Sequence, residues 1–291
     1  MENNSFSAEK YARLVKTGTV ISAALSVLIA GVYWCGMHFG FDFSVGHYSS
    51  ARWGCLTAAL IALGVILAAT IGLSVRKCSL KPQNEPKVAD IVVRLVAAVA
   101  CAASFVVFFS AIFKGEAYYG ALDKLSGILS LFAPVFFVLS LTKVDGRVTA
   151  FCALLAALSV NFEIFSAYFD FTVPINGAVR NMILLTRCAV LLFFISEARF
   201  ALPSDSKRLT APFAVFVNCA SLSVAGGISL GALLYRLNDV NPADEAPSTV
   251  KLFVYLTVAA VALVRLVGIP KLLCEKIKDV EEDDEENEKG E

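Results

Sequence analysis

Eight apolar runs constrain this chain more than any motif in it. They lie near residues 17–36, 53–75, 91–113, 121–142, 148–169, 178–200, 211–235 and 249–270. A run of about 18 or more apolar residues with few charges reads as a membrane-spanning helix. At about 1.5 Å per residue, each run can cross the ~30 Å of bilayer hydrocarbon. The runs argue against a transmembrane barrel, because they lack period-2 alternation and are about twice the length of a spanning strand. The composition agrees, with 57% apolar residues, 17% charged residues and a mean hydropathy of +0.71. The expected fold class is all-α: a polytopic helix bundle of about eight transmembrane helices.

Basic residues in short loops mark the cytoplasmic side of a membrane protein. With the N-terminus placed inside, the inner segments hold sixteen Lys and Arg, and the outer loops at most six. The bias runs along the whole chain and predicts both termini in the cytoplasm. The first run is long for a signal peptide, and no small-x-small cleavage site follows it, so it reads as a retained helix. Residues 1–16 form a cytoplasmic segment in which Phe6, Tyr11, Leu14 and Val15 interleave with Lys10, Arg13 and Lys16, the pattern of a short helix on a lipid surface. Residues 17–273 form the transmembrane domain.

Residues 274–291 form an acidic tail. Within it, 279–291 hold nine acids and one lysine, a net of −8. The other 278 residues hold 24 bases and 16 acids, a net of +8. So charged and apolar-poor a tail reads as disordered, either solvating or docking a basic cytoplasmic protein.

The stretch NFEIFSAYFDFTVPINGAVRNMILLTR, residues 161–187, sets ionisable groups where hydrocarbon is expected. Ser159, Glu163, Ser166 and Asp170 share one face of the fifth span. Arg180 and Arg187 share a face of the sixth. The connection TVPING is a tight turn, so the spans are antiparallel neighbours. The spacing predicts a two-rung ladder, with Asp170 level with Arg180 and Glu163 level with Arg187. Arg187 lies about 14 Å along its helix. A charge near a helix centre costs about 2.5–3.5 kcal/mol on insertion scales, so a partner or a water-filled cavity is required. Asn161, Asn181 and Asn218 add amides nearby. Arg94 and Arg265 sit near the inner surface, within reach of it by snorkelling, and Glu197 and Arg199 read as interface anchors.

Breaks in the helical pattern occur at Pro134 in the fourth span and at Gly226 and Gly227 in the seventh. Ser223, Gly227 and Gly231 recur every four residues, a small face suited to close helix packing. No inverted repeat relates the two halves of the chain.

The strings YFDFTVPING and LLFFISEARF together resemble a pattern of uncharacterised multi-pass membrane proteins of clostridia-like Firmicutes. The likeness covers roughly residues 160–200. It implies a bacterial inner-membrane location and brings no activity with it.

Chemistry is sparse. There is no H-E-x-x-H, no G-x-S-x-G elbow, no Walker A loop and no dinucleotide fingerprint. No cofactor is expected. No metal site is expected either, because the eight cysteines form no C-x-x-C, and His38 and His47 lie in one outer loop around Asp42. The dispersed basic residues argue against nucleic acid as a partner. An intramembrane lipid-modifying enzyme using Glu163 or Asp170 with Arg187 stays open. Two functional expectations follow. One is a small-solute or ion transporter, or a transport-associated subunit, with the hairpin charges on its path. The other is a membrane scaffold or signalling partner whose hairpin charges are structural and whose acidic tail docks a cytoplasmic protein.

Overall fold

The computed structural model of the chain describes residues 2–42, 47–76, 78–80, 88–114, 120–142, 144–169, 178–202, 210–238 and 248–275. Asp170 and the acidic run 279–291 lie outside them. Among the described residues, ten α-helices make eight candidate spans: α1 (Glu2–Gly40), α2 (Ala51–Ser74), α3 (Val88–Lys114), α4 (Ala121–Leu129) with α5 (Phe132–Leu139), α6 (Gly146–Phe169), α7 (Ala178–Ala201), α8 (Thr210–Ala220) with α9 (Gly226–Asn238), and α10 (Thr249–Leu272). All eight are long and apolar enough to cross a membrane. The protein is an all-α polytopic bundle. Its spans alternate in direction, so the start of α1 and the end of α10 share one end of the bundle. That end is called inner below, following the basic-residue bias, and the opposite end outer.

Two short antiparallel ladders join segments between helices. β1 (Phe41–Asp42) pairs with β2 (His47–Tyr48) at the outer end. β3 (Cys78–Leu80) pairs with β4 (Leu273–Glu275) at the inner end, tying the segment after α2 to the exit of α10.

α1 corrects the expectation of a separate surface helix. It is one unbroken helix from Glu2, of 39 residues and about 58 Å. Residues 2–17 contain no Gly or Pro, so nothing ends the helix before the span begins. Glu9 and Arg13, one turn apart, pair at 2.7 Å on its exposed face.

The fourth span breaks at Ser130–Leu131, between α4 and α5. The cause is Pro134, which has no N–H to give the Ser130 carbonyl, four residues earlier. Ala133 N takes that carbonyl instead at 3.1 Å, a tighter turn, and Ser130 Oγ closes on Gly127 O at 2.6 Å.

The seventh span does not break. It widens into a π-turn at Ser221–Ala225, directly before Gly226. This span is the most enclosed of the eight and the third is the least. Close approach explains the glycines. A Cβ on Gly227 would sit 2.8 Å from Ile29 and 2.9 Å from the Ser26 carbonyl, and one on Gly231 would sit 2.8 Å from the Ala30 carbonyl. Both therefore pack against the α1 backbone. Ser223 faces α2 at Gly64 instead.

Three apolar clusters fill the bundle. The largest joins α3, α5, α6, α7 and α10. At its centre Phe136, Phe137, Phe193 and Phe194 are buried, with ring centroids 5.1–5.9 Å apart. The other two clusters join α1, α2, α8, α9 and α10, and α7 enters one of them through Val179, Met182 and Ile183.

Candidate functional site

Two ionic tiers occupy the bundle, one near each end. α7 and α10 contribute to both. Ten residues separate Arg187 from Glu197 on α7 and Tyr255 from Arg265 on α10, about 15 Å of helix in each case. The four phenylalanines, with Val258, Val261 and Ala262 of α10, lie between them.

The outer tier is built around Glu163. α6 and α7 pack as antiparallel neighbours, and Arg187 Nε comes to 3.6 Å from Glu163 Oε2. Arg187 Nη1 also donates to the Glu163 backbone carbonyl at 3.2 Å. A third helix completes the tier. Lys251 Nζ donates to Glu163 Oε1 at 2.5 Å, and Tyr255 OH donates to Oε2 at 3.2 Å. Ser126 Oγ of α4 reaches Oε1 at 3.4 Å. Ser159 Oγ donates to the Ser126 carbonyl at 2.8 Å, locking α6 to α4. Ser166 Oγ donates to Asp123 Oδ1, and Asp123 Oδ2 also accepts from Gly120 N at 3.1 Å. The tier is not sealed. The side chains of Glu163, Arg187 and Lys251 are 13%, 15% and 31% exposed.

The other hairpin residues fall as follows. Arg180 donates to the carbonyls of Ala167 and Tyr168, at the end of α6, where a cation meets unpaired carbonyls and the negative end of the helix dipole. Its expected partner, Asp170, lies outside the described residues. Asn161 is half-buried, Asn181 is exposed, and neither bonds to Glu163. Asn218 is buried in α8, and its Nδ2 donates to Ala214 O at 2.8 Å.

The inner tier escaped the sequence reading. Arg94 does not snorkel. Its side chain is 1% exposed and binds three partners: Asp90 Oδ1 at 3.0 Å, Ser140 Oγ at 2.7 Å and Glu197 Oε2 at 2.9 Å. Glu197 is 2% exposed and takes Arg265 on both oxygens, each at 3.1 Å. Arg265 also lies over the Phe200 ring, 5.4 Å from its centroid. Two acids and two arginines thus clamp α3, α5, α7 and α10. A signal for this tier was present: Asp90 and Arg94 are four apart, which places them on one helix face. In the outer tier, Lys251 and Tyr255 are also four apart, and that spacing went unused.

Family profiles, curated proteins and solved structures give no match to this chain. Its function must be read from the two tiers.

Proposed function

We propose that the protein is a transporter of a small ion or charged solute, or the membrane subunit of one, located in a bacterial cell membrane, and that its polar path begins at the outer tier. The observation that carries this reading is the difference in exposure between the two central carboxylates, 13% for Glu163 against 2% for Glu197. A pair serving only to glue α6 to α7 has no need of Lys251 and Tyr255 from a third helix. It would also gain from burial, because an exposed ion pair contributes little. The outer tier draws a lysine and a tyrosine from a third helix onto Glu163, and Lys251 stays 31% exposed. Below it, a layer of packed aromatic rings closes the way. The interrupted fourth span and the π-turn of the seventh add the irregular helix geometry that transport paths often use.

The test is reconstitution. Proteoliposomes that carry an internal pH dye are challenged with a panel of small ions and solutes, and both charge movement and pH change are recorded. A response that Glu163→Gln abolishes, in a variant that still inserts and accumulates, supports the reading. Equal responses from wild type and variant contradict it.

A second reading draws on the inner tier. Four helices clamped by a charge-balanced ionic network make a rigid frame, as a membrane scaffold requires. In that case the run 279–291 docks a cytoplasmic partner, and its deletion abolishes the partner's pull-down while Glu163→Gln is silent.

A further inference from the structure

Three donors and a second cation from three helices converge on one carboxylate in the outer tier. The donors are Lys251 and Tyr255 of α10 and Ser126 of α4, and the cation is Arg187 of α7, whose Nε lies 3.6 Å from the carboxylate and donates to Tyr255 OH at 3.4 Å. The set is therefore already holding a carboxylate, one that happens to be tethered to α6. Two cations face that carboxylate, and Arg187 is also within electrostatic reach of Asp123. The second acid of the tier, Asp123, is occupied by Ser166 Oγ and Gly120 N.

Lys251 stands in the first turn of α10, with Ser248 Oγ capping its backbone N–H at 3.4 Å. That is the positive end of the helix dipole, where a lysine opposes the helix that carries it. Local helix stability does not explain this residue. A need for positive potential at the mouth of the tier does.

We infer that the outer tier binds a small organic monocarboxylate in place of the Glu163 carboxylate, and that the exchange requires one proton on Glu163. This rests on the reading of the tier as a transport site and names its substrate class. A proton from the outer solution adds to Glu163 and makes it a neutral carboxyl. Its ion pairs with Lys251 and Arg187 open. The carboxylate of the solute then takes both cations, with Tyr255 OH and Ser126 Oγ as further donors. The ionised Glu163 with its two cations sums to +1, the protonated empty site to +2, and the loaded site to +1. One proton therefore enters with one monoanion, and the charge of the site is the same before and after loading.

The groups around Glu163 support this assignment of the proton. α4 presents Ser126, with Asp123 behind it on Ser166. α6 itself presents Ser159 and Ser166. α7 presents Arg187, and α10 presents Lys251 and Tyr255. Glu163 is the acid among these that meets both cations, so its protonation frees both at once.

The test is calorimetric binding of acetate and benzoate to the purified full chain at pH 6 and pH 8. Both probes are ionised at either pH, so any pH dependence belongs to the protein. Binding linked to one proton changes by up to about tenfold per pH unit, so affinity at pH 6 is expected to exceed that at pH 8 by about 10- to 100-fold. Glu163→Gln is expected to bind equally at both values and at least as tightly as wild type does at pH 6, and Lys251→Met to weaken binding at both. Equal wild-type affinity at the two pH values, or no binding of either probe, overturns the inference. If Glu163→Gln does not fold, the wild-type pair of values decides alone. If neither probe binds but proteoliposomes still pass another ion or solute, the transport reading stands and only the substrate class falls. If nothing passes, both fall.

Discussion

The outer and inner tiers place the same kinds of side chain in the same bundle, on two shared helices, and close them differently. In the inner tier each charge is matched. Glu197 meets Arg94 and Arg265, Arg94 also meets Asp90 and Ser140, and Arg94 and Glu197 are almost wholly buried while Arg265 stays 19% exposed. In the outer tier Glu163 meets two cations at unequal distances, 2.5 Å to Lys251 and 3.6 Å to Arg187, and all three side chains keep some exposure. Buried charges stabilise a structure only when geometry and pairing are nearly complete. The inner tier meets that condition. The outer tier falls short of it, as a site must if its partners are to be exchanged.

The largest expected effect breaks the comparison from the inner side. Glu197→Gln removes the carboxylate that joins Arg94 to Arg265 and leaves Asp90 as the acid on Arg94, and removing one partner of a buried pair costs about 3–5 kcal/mol. Thermal unfolding in detergent should show a steep fall, or the variant should fail to accumulate. Phe194→Ala attacks the layer between the tiers. Truncating a buried phenylalanine costs about 3 kcal/mol or more, and this one packs on Phe136, Phe137 and Phe193. It should also raise proton leak in proteoliposomes, because the ring layer separates the two polar regions.

Smaller effects are expected in the outer tier. Glu163→Gln should cost about 1–2 kcal/mol, less than Glu197→Gln, because Lys251 can turn its ammonium to water. The two unfolding curves, measured side by side, check the order; a reversed order would mean that the outer tier is the structural one. Lys251→Met should cost under about 1 kcal/mol, since it removes a charge near the end of a helix. It should still accumulate at the wild-type level, which a blot of membrane fractions reads directly.

The bundle was legible because apolar run length is a local property, and all eight runs are helices in the structure. The break near Pro134 was legible too, because a missing N–H acts within one turn of its own position. The π-turn was not. Gly226 and Gly227 marked a special place in the seventh span, but α1 presses on them, and that contact is tertiary. The Glu163–Arg187 pairing could be read from depth along adjacent antiparallel helices. The roles of Lys251 and Tyr255 could not, because nothing local says that α10 packs beside the α6–α7 hairpin. Arg94, Glu197 and Arg265 were misread for a related reason. Each lies near the inner surface, where a long side chain can reach water. Which of them turns inward depends on neighbours that are distant in sequence.

The difference in closure is the central claim, and accessibility to a membrane-impermeant thiol reagent tests it most directly. In a background with the eight native cysteines replaced, Ser166→Cys and Ser140→Cys place one thiol beside each tier. In detergent micelles, which leave both ends of the folded protein open to the reagent, Cys at position 166 should be modified faster than Cys at position 140. Equal protection of the two thiols would contradict the account, because the outer tier would then be as closed as the inner one.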